Sequence, residues 1–257
     1  MYAAGRATRL GREYSGMPKV LLEVEGRSLL DRHAERLARA GVRVLHLVTG
    51  HHREKLLGVL PGIRRRHGLE VAEWFNPDFM EGSVVSMGVS LPVLERATES
   101  LLLMDADVLY SQAVMDRLVG SEHRCTMLVD FGYAAPDDDP VLVPVRDGLP
   151  FDMVKQWTGH AERVGESVGF FKVSPDGLRM LARGTRARME GLARRESLDD
   201  VIREVVMAGM FGVEDVTGLP WTEIDFPHDV ARARDEVLPG IAAEEAVGRR
   251  RVAAHGP

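Results

Sequence analysis

The sequence predicts an α/β protein with a doubly wound sheet, on three observations. Short apolar runs alternate with amphipathic segments at the pace of βαβ units through the first half of the chain. The run Leu101-Leu102-Leu103-Met104 is continuously apolar, as in a strand buried on both faces, and its carboxyl end delivers the charged triplet Asp105-Ala106-Asp107. No linker, repeat or low-complexity stretch divides the 257 residues, so one domain over 1–237 is expected, with a helical or disordered tail over 238–257.

Each element follows from local chemistry. Only Met1 and Tyr2 precede the small-residue run that begins at Ala3, so any first strand is truncated. Residues 28–40 space apolar side chains by three and four between Ser28, a plausible N-cap, and Gly41, a stop, predicting a helix. Residues 42–48 read as a buried strand, 53–60 as a helix, and 71–75 as a strand broken by Asn76-Pro77-Asp78. A helix over 84–97 then leads to the apolar strand over 101–104. Further on, Cys125–Asp130 and 141–145 read as strands joined by a turn at Asp137-Asp138-Asp139-Pro140, and 169–173 as another strand. Helices are expected over 175–183 and 197–208, the second with Ser197 and Asp199 near its start. Ile224 and Phe226, flanking Asp225, suggest a short strand ended by Pro227, with Asp229 capping a helix that begins near Val230.

Composition narrows the function classes. The formal net charge is −6, so no basic face for nucleic acid is expected. A single cysteine, Cys125, excludes an internal disulfide and reads as a small core residue. No apolar stretch approaches the ~20 residues that span a bilayer and no signal peptide is visible, so a cytoplasmic location is the expectation. His51-His52 sits in a polar stretch and reads as loop or cap rather than as catalytic groups.

Three segments carry chemistry. In the first, Ala3-Ala4-Gly5-Arg6-Ala7-Thr8-Arg9-Leu10-Gly11 precedes Met17-Pro18-Lys19. Small residues let backbone N–H groups approach phosphate oxygens, while Arg6, Arg9 and Lys19 add cations. It is neither a G-x-x-x-x-G-K-[ST] loop nor a dinucleotide fingerprint, and an ordinary cationic surface turn is the bland alternative. In the second, Asp105 and Asp107 would share one face of a strand end and suit Mg²⁺, which takes oxygen ligands and bridges carboxylate to phosphate. In the third, Trp221-Thr222-Glu223-Ile224-Asp225-Phe226-Pro227-His228-Asp229 sets a carboxylate between two large apolar residues, which is costly unless it is paired or metal-bound.

Together these segments resemble the sugar-nucleotidyltransferase superfamily, whose loop reads roughly G-x-G-T-R followed by P-K; the chain departs at Ala7, where the second glycine would stand. Asp105-Ala106-Asp107-Val108-Leu109-Tyr110 and Glu223-Ile224-Asp225-Phe226-Pro227 look most like the phosphocholine, inositol-1-phosphate and phosphonate cytidylyltransferases. The segment Asn76-Pro77-Asp78-Phe79-Met80-Glu81-Gly82-Ser83, with Ser86, also fits, and is similar to molybdenum-cofactor cytidylyltransferases as well.

The resemblance implies a Rossmann-like mixed sheet of the nucleotide-diphospho-sugar transferase type. In that fold a buried strand leads into the glycine-rich loop; a start recorded downstream of the true one is the expected reason for its truncation. The resemblance further implies that Gly5, Arg6, Thr8 and Arg9 hold a triphosphate and that Lys19 neutralises the α-phosphate. Ala4 and Ser83 would then present groups to base and ribose, Asp107 and Asp225 would bind Mg²⁺, and Asp105 would support them from behind. Glu166, in Gly165-Glu166-Ser167-Val168-Gly169-Phe170, and Lys155 are implied on the acceptor side, a solvated surface lysine being the alternative for Lys155.

The expected activity is Mg²⁺-dependent transfer of a CTP-derived nucleotide to a small phosphorylated alcohol or phosphonate, with release of pyrophosphate. Transfer to a sugar-1-phosphate from UTP, GTP or another nucleotide, and a catalytically idle nucleotide-binding regulator, are the alternatives. The sequence does not fix the oligomeric state, and a homodimer is compatible with it.

Overall fold

The computed structural model describes residues 1–11, 14, 16–132, 140–191 and 193–254. Strand β1 (Tyr2–Ala3) leads through the small-residue loop to one turn of 3₁₀ helix at Lys19–Leu21 and a small hairpin, β2 (Glu23–Val24) and β3 (Arg27–Ser28). Next come α1 (Leu29–Arg39), β4 (Val44–Thr49), α2 (Arg53–His67), β5 (Glu70–Phe75), α3 (Ser83–Val89), α4 (Leu91–Arg96) and β6 (Leu101–Met104). Beyond the Asp105-Ala106-Asp107 turn lie β7 (Val108–Tyr110), α5 (Gln112–Gly120), β8 (Cys125–Asp130), β9 (Leu142–Arg146), β10 (Leu149–Pro150) and β11 (Arg163–Val173). The chain ends with α6 (Pro175–Glu190), α7 (Leu198–Met207), β12 (Phe211–Asp215), β13 (Trp221–Glu223), α8 (Pro227–Arg232), a π-helical turn at Ala233–Val237 and α9 (Leu238–Ala254).

The main strands form a three-stranded parallel sheet, β1, β4 and β5, and a six-stranded mixed sheet of β6, β8, β9, β10, β11 and β12, which approach each other where β1 meets the end of β6; β2 with β3 and β7 with β13 make separate antiparallel pairs. Parallel pairing joins β1 to β4 and β4 to β5, and a parallel bridge links Tyr2 to Asp105 at the end of β6. The long β11 runs antiparallel to β6, β8 and β9, and β12 lies parallel to β8. Buried side chains form two clusters, as double winding requires. One holds the buried faces of α1, α2 and α5, and the other those of α3, α4, α6 and α7. Along β6, Leu101 and Leu103 pack with one cluster while Leu102 and Met104 pack with the other, the period-2 alternation of a strand covered on both faces.

Local signals account for most boundaries. The Ser28 hydroxyl accepts the Asp31 N–H and starts α1, and Gly41, at φ +82°, follows its end. Ser197 and Asp200 form a capping box at the head of α7. Elsewhere the structure corrects the sequence reading. The helix expected over 53–60 continues to His67, with Pro61 and Gly62 inside it. The helix expected over 84–97 is two helices that meet at Ser90, with Pro92 in the first turn of the second. The strand expected over 169–173 begins at Arg163, and the helix that follows extends to Glu190. β12 is not announced by any sequence motif. Residues 224–226 are not the strand: β13 ends at Glu223, and Pro227 opens α8 rather than ending a strand. Asp229 sits in the first turn of α8, where its Oδ2 accepts the N–H groups of Asp225 and Phe226. Asp137, Asp138 and Asp139 of the expected turn, and His255, Gly256 and Pro257 of the tail, lie outside the described residues.

β1 is two residues long, matching the truncation expected. Beside Met1, the edges of β4 and β6 stand on either side of a cavity of about 460 Å³ lined by Val44, His46, Leu101, Leu103 and others. The Met1 amino group donates to the His46 carbonyl at 3.0 Å, and burial, against the attraction of Asp105, pulls its pKa down to about 5. A peptide N–H could make the same bond without the loss of a proton that burial imposes on the amine. Joining a valine-alanine-valine-isoleucine segment to the Met1 nitrogen is therefore expected to raise the melting temperature by at least about 4 °C, at about 2–4 °C per kcal/mol for a chain of this size. A glycine-aspartate extension of equal length makes the same bond but brings no apolar side chains to the lining, and should raise it less. Equal melting of the two extended proteins would contradict a cavity that takes an apolar strand.

Candidate active site

The site forms where the turns after β1, β6 and β13 converge, at the carboxyl ends of sheet strands, the usual place for ligands in an open α/β sheet. A pocket of about 210 Å³ opens there, lined by Gly5, Arg6, Arg9, Lys19, Asp107, Glu223 and Asp225 among others. The first loop is anchored by Leu10, which is fully buried, and by pairing of Arg6 with Pro18. Ala7 is buried with its methyl group in the core, a physical reason for the departure from a second glycine. The space above Gly5 is open, since a Cβ there would meet no protein atom within 4 Å.

Lys19 lies at the centre. Its ammonium donates to Asp107 Oδ2 at 2.7 Å and to Asp225 Oδ1, and Arg9 pairs with Asp225 Oδ2 at 2.7 Å. Arg9 also stacks over Phe226, 5.4 Å from the ring centroid. Burial disfavours the ammonium of Lys19, but the carboxylates of Asp107 and Asp225 outweigh it and hold its pKa above the ordinary lysine range. Asp225 is 8 % exposed, so this is a largely desolvated charge cluster rather than a surface ion pair.

The Glu223 carboxylate, which the sequence reading left without a role, completes the group. Asp107, Glu223 and Asp225 each offer an oxygen within 4.8 Å of the others. Glu223 keeps solvent exposure as a residue, yet crowding of its carboxyl by protein atoms first, then repulsion from Asp107 and Asp225, pushes its pKa up, against the opposing charges of Lys19 and Lys155. Its signal in the sequence was the spacing Glu223-Ile224-Asp225, the same one-residue gap that drew attention to Asp105 and Asp107.

Asp105 behaves differently from Asp107. β6 ends at Met104, so the chain bends through the triplet and the strand geometry expected to turn both carboxylates to one cavity does not apply. The Asp105 carboxylate packs against Gly169, where φ is +76° and an added Cβ would lie 2.2 Å from Asp105 Oδ2. Burial, followed by the carboxylates of Asp107, Asp199 and Glu223, raises its pKa well above the ordinary value. Asp105 thus lies behind the pocket rather than in its lining.

The remaining candidates are distributed around this centre. Ala4 is buried and its carbonyl accepts the His51 N–H at 3.1 Å. Thr8 is exposed on the loop beside the pocket lining. Arg6 reaches Met80 Sδ at 3.5 Å, linking the loop to the 76–83 segment. In that segment Asn76 holds Ser86, Arg194 pairs with Asp78 and Glu81, and the Ser83 hydroxyl accepts the Leu198 N–H at 2.9 Å. Gly82 is required there, because a Cβ would lie 2.1 Å from the Glu196 carbonyl oxygen. Lys155 is close enough to favour ionised Glu223, whereas Glu166 sits on β11 opposite Asp130 and Leu142, outside the pocket lining.

The chain belongs to the family of the MobA-like NTP transferase domain, whose model matches residues 2–203. It is 27 % identical over 239 residues to the bifunctional IPC transferase and DIPP synthase of Thermococcus kodakarensis, covering 90 % of this chain and 48 % of the relative. It is 26 % identical over 239 residues to the CMP-5'-(3-aminopropyl)phosphonate synthase of Streptomyces rubellomurinus, covering 90 % of this chain and 37 % of that protein. The chain thus spans about half or less of the length of these relatives. The solved inositol-1-phosphate CTP transferase of T. maritima shares the fold with a TM-score of 0.70 at 21 % identity, over 92 % of this chain and 95 % of that one. No helix among the described residues is long and apolar enough to cross a membrane.

The electrostatics predict opposite effects of two substitutions. Glu223→Gln removes a carboxylate that Asp107 and Asp225 repel, so in metal-free buffer at pH 7 it should raise the melting temperature by a few degrees, about 1 kcal/mol. Lys19→Met should lower it, because it leaves Asp107 and Asp225 facing each other. Thermal melts in EDTA decide the signs, and destabilisation by Glu223→Gln would contradict the crowding described.

Proposed function

We propose that this domain transfers a cytidylyl group from CTP to a small phosphorylated alcohol or a phosphonate, with release of pyrophosphate and with Mg²⁺ bound by Asp107, Glu223 and Asp225. The observation that carries the reading is the pairing of a cationic small-residue loop with a carboxylate trio across one pocket. The names of the relatives, a phosphonate cytidylyl product in one and a CTP transferase in the shared fold, support CTP and this acceptor class.

The residues suit magnesium on chemical grounds. All three donors are hard carboxylate oxygens, and Asp107 Oδ1 is buried without a hydrogen-bond partner. Bound there, magnesium would polarise the α-phosphate as a Lewis acid and serve as a template for the transfer.

The chain's own groups supply the rest. Arg9, half exposed at the pocket mouth, is placed to fork onto the phosphate chain. Lys19, held by two carboxylates, exchanges a carboxylate partner for an α-phosphate oxygen and stabilises the charge that builds there. An oxygen of the acceptor phosphate attacks the α-phosphorus, a new P–O bond forms, and the bond to the bridging oxygen of pyrophosphate breaks. The acceptor is already anionic near neutral pH, with a second phosphate pKa of about 6, so no general base is needed. His51 and His52 stand outside the pocket lining, in keeping with that.

Pyrophosphate release should therefore appear with Mg²⁺, CTP and one of phosphocholine, inositol-1-phosphate or 2-aminoethylphosphonate. Asp107→Ala and Lys19→Ala are each expected to lower kcat by at least about 100-fold while the circular dichroism spectrum stays unchanged. Turnover only with hexose-1-phosphates and another nucleotide would redirect the substrate assignment. Near-parental rates in either variant would contradict the roles given to Asp107 and Lys19.

A further inference from the structure

Besides the bridge from Tyr2 to Asp105, the backbone of the Asp105-Ala106-Asp107 turn is held at three points. The Asp105 N–H donates to the Gly169 carbonyl at 3.2 Å, and the Asp107 carbonyl accepts the Ile224 N–H at 3.0 Å. The third point is the Ala106 carbonyl, which sits 3.2 Å from Nε2 of His33, a fully buried side chain of α1. Two anchors are backbone and come with the sheet. The third is a side chain from a helix 73 residues earlier in the sequence.

The protonation state of His33 follows from its partners. A carbonyl oxygen can only accept, so Nε2 carries the hydrogen. Burial pushes the imidazole pKa down to about 3, so the ring is neutral and Nδ1 is an acceptor. Tyr110 OH, 3.3 Å away, donates to it, and burial raises that phenol so that it keeps its proton. Tyr110 packs edge-on against Phe170 at 4.8 Å, and Phe170 adjoins Gly169, the first anchor. One hydrogen-bond relay, Tyr110 to His33 to Ala106, thus pins the peptide link between Ala106 and Asp107 from inside the core.

We propose that His33 is a positioning residue for metal binding by Asp107, fixing through the Ala106 carbonyl the direction in which that carboxylate meets the ion. The proposal rests on the reading of Asp107 as a metal ligand. Supporting bonds of this kind commonly change metal affinity by about 10–100-fold. Its geometry predicts an ordered series. Gln places an N–H at the level of Nε2 and can keep the bond to Ala106, whereas Asn places its polar atoms at the level of Nδ1 and cannot.

The test is Mn²⁺ affinity, read from the electron paramagnetic resonance signal of free Mn²⁺ in the presence of CTP and without acceptor. His33→Asn is expected to weaken Mn²⁺ binding about tenfold and to lower kcat while KM for CTP is little changed; His33→Gln should stay within about threefold of the parent. Tyr110→Phe, which frees the ring to carry its proton on Nδ1, should fall between them. Unchanged Mn²⁺ affinity in folded His33→Asn overturns the proposal. Should His33→Asn not fold, the other two variants decide: His33→Gln near the parent with Tyr110→Phe weaker supports it, and equality or the reverse order overturns it. Failure of the parent to bind Mn²⁺ would remove the ligand assignment and the proposal with it, whereas binding without CTP turnover would bear on the proposed function alone.

Discussion

The pocket depends on one shared cation. Lys19 stands between Asp107 and Asp225, and Arg9 closes on the second carboxylate. Arg9 comes from the first loop, Lys19 from the 3₁₀ turn that follows it, and the two aspartates from the turns after β6 and β13, which the Asp107 carbonyl and the Ile224 N–H also join. Without Lys19, two desolvated carboxylates would face each other with Glu223 beside them, an arrangement that neither sheet hydrogen bonds nor apolar packing could offset locally. The charge cluster therefore both assembles the pocket and leaves it stocked with groups that suit a nucleotide triphosphate and its cation.

Much of this was legible in the sequence because the signals were local. A continuous apolar run read as β6 in its full extent, and Ser28 with Gly41 framed α1 to within a residue. The loop cations and the acidic segments stood out by residue type and spacing, the family resemblance singled out Asp107 and Asp225 among the acids, and the structure brings Arg9, Lys19, Asp107 and Asp225 into one ion-paired cluster. What escaped was set by tertiary context. Pro61 does not end α2, because Gly68, in the left-handed region, supplies the stop further on. The Ser83 hydroxyl accepts the Leu198 N–H, a partner more than a hundred residues away that no local pattern announces. Asp105 and Asp107 look equivalent by spacing, yet the bend after Met104 sends one carboxylate behind the pocket and the other into it.

His33 illustrates the limit most clearly. On the sequence it is one of several polar residues of α1 that the fold buries, with Asp31, Arg32 and Arg36 beside Leu29, Leu30, Ala34 and Leu37. Only the approach of the 105–107 turn and of Tyr110 gives its two nitrogens distinct partners. The core and the site are thus continuous: helix α1, capped at Ser28, carries the group that steadies the turn from which Asp107 projects.

The central claim is that Lys19 couples the first loop to the turn bearing Asp225. A double-mutant cycle measures this directly, using the unfolding free energies of the parent, Lys19→Met, Asp225→Asn and the double variant in metal-free urea titrations. The account predicts that the double variant is destabilised by less than the sum of the singles, with a coupling of about 1 kcal/mol or more, within the range of about 0.5–3 kcal/mol found for residues in contact. Strict additivity would show that the two residues do not sense each other, and would contradict the account.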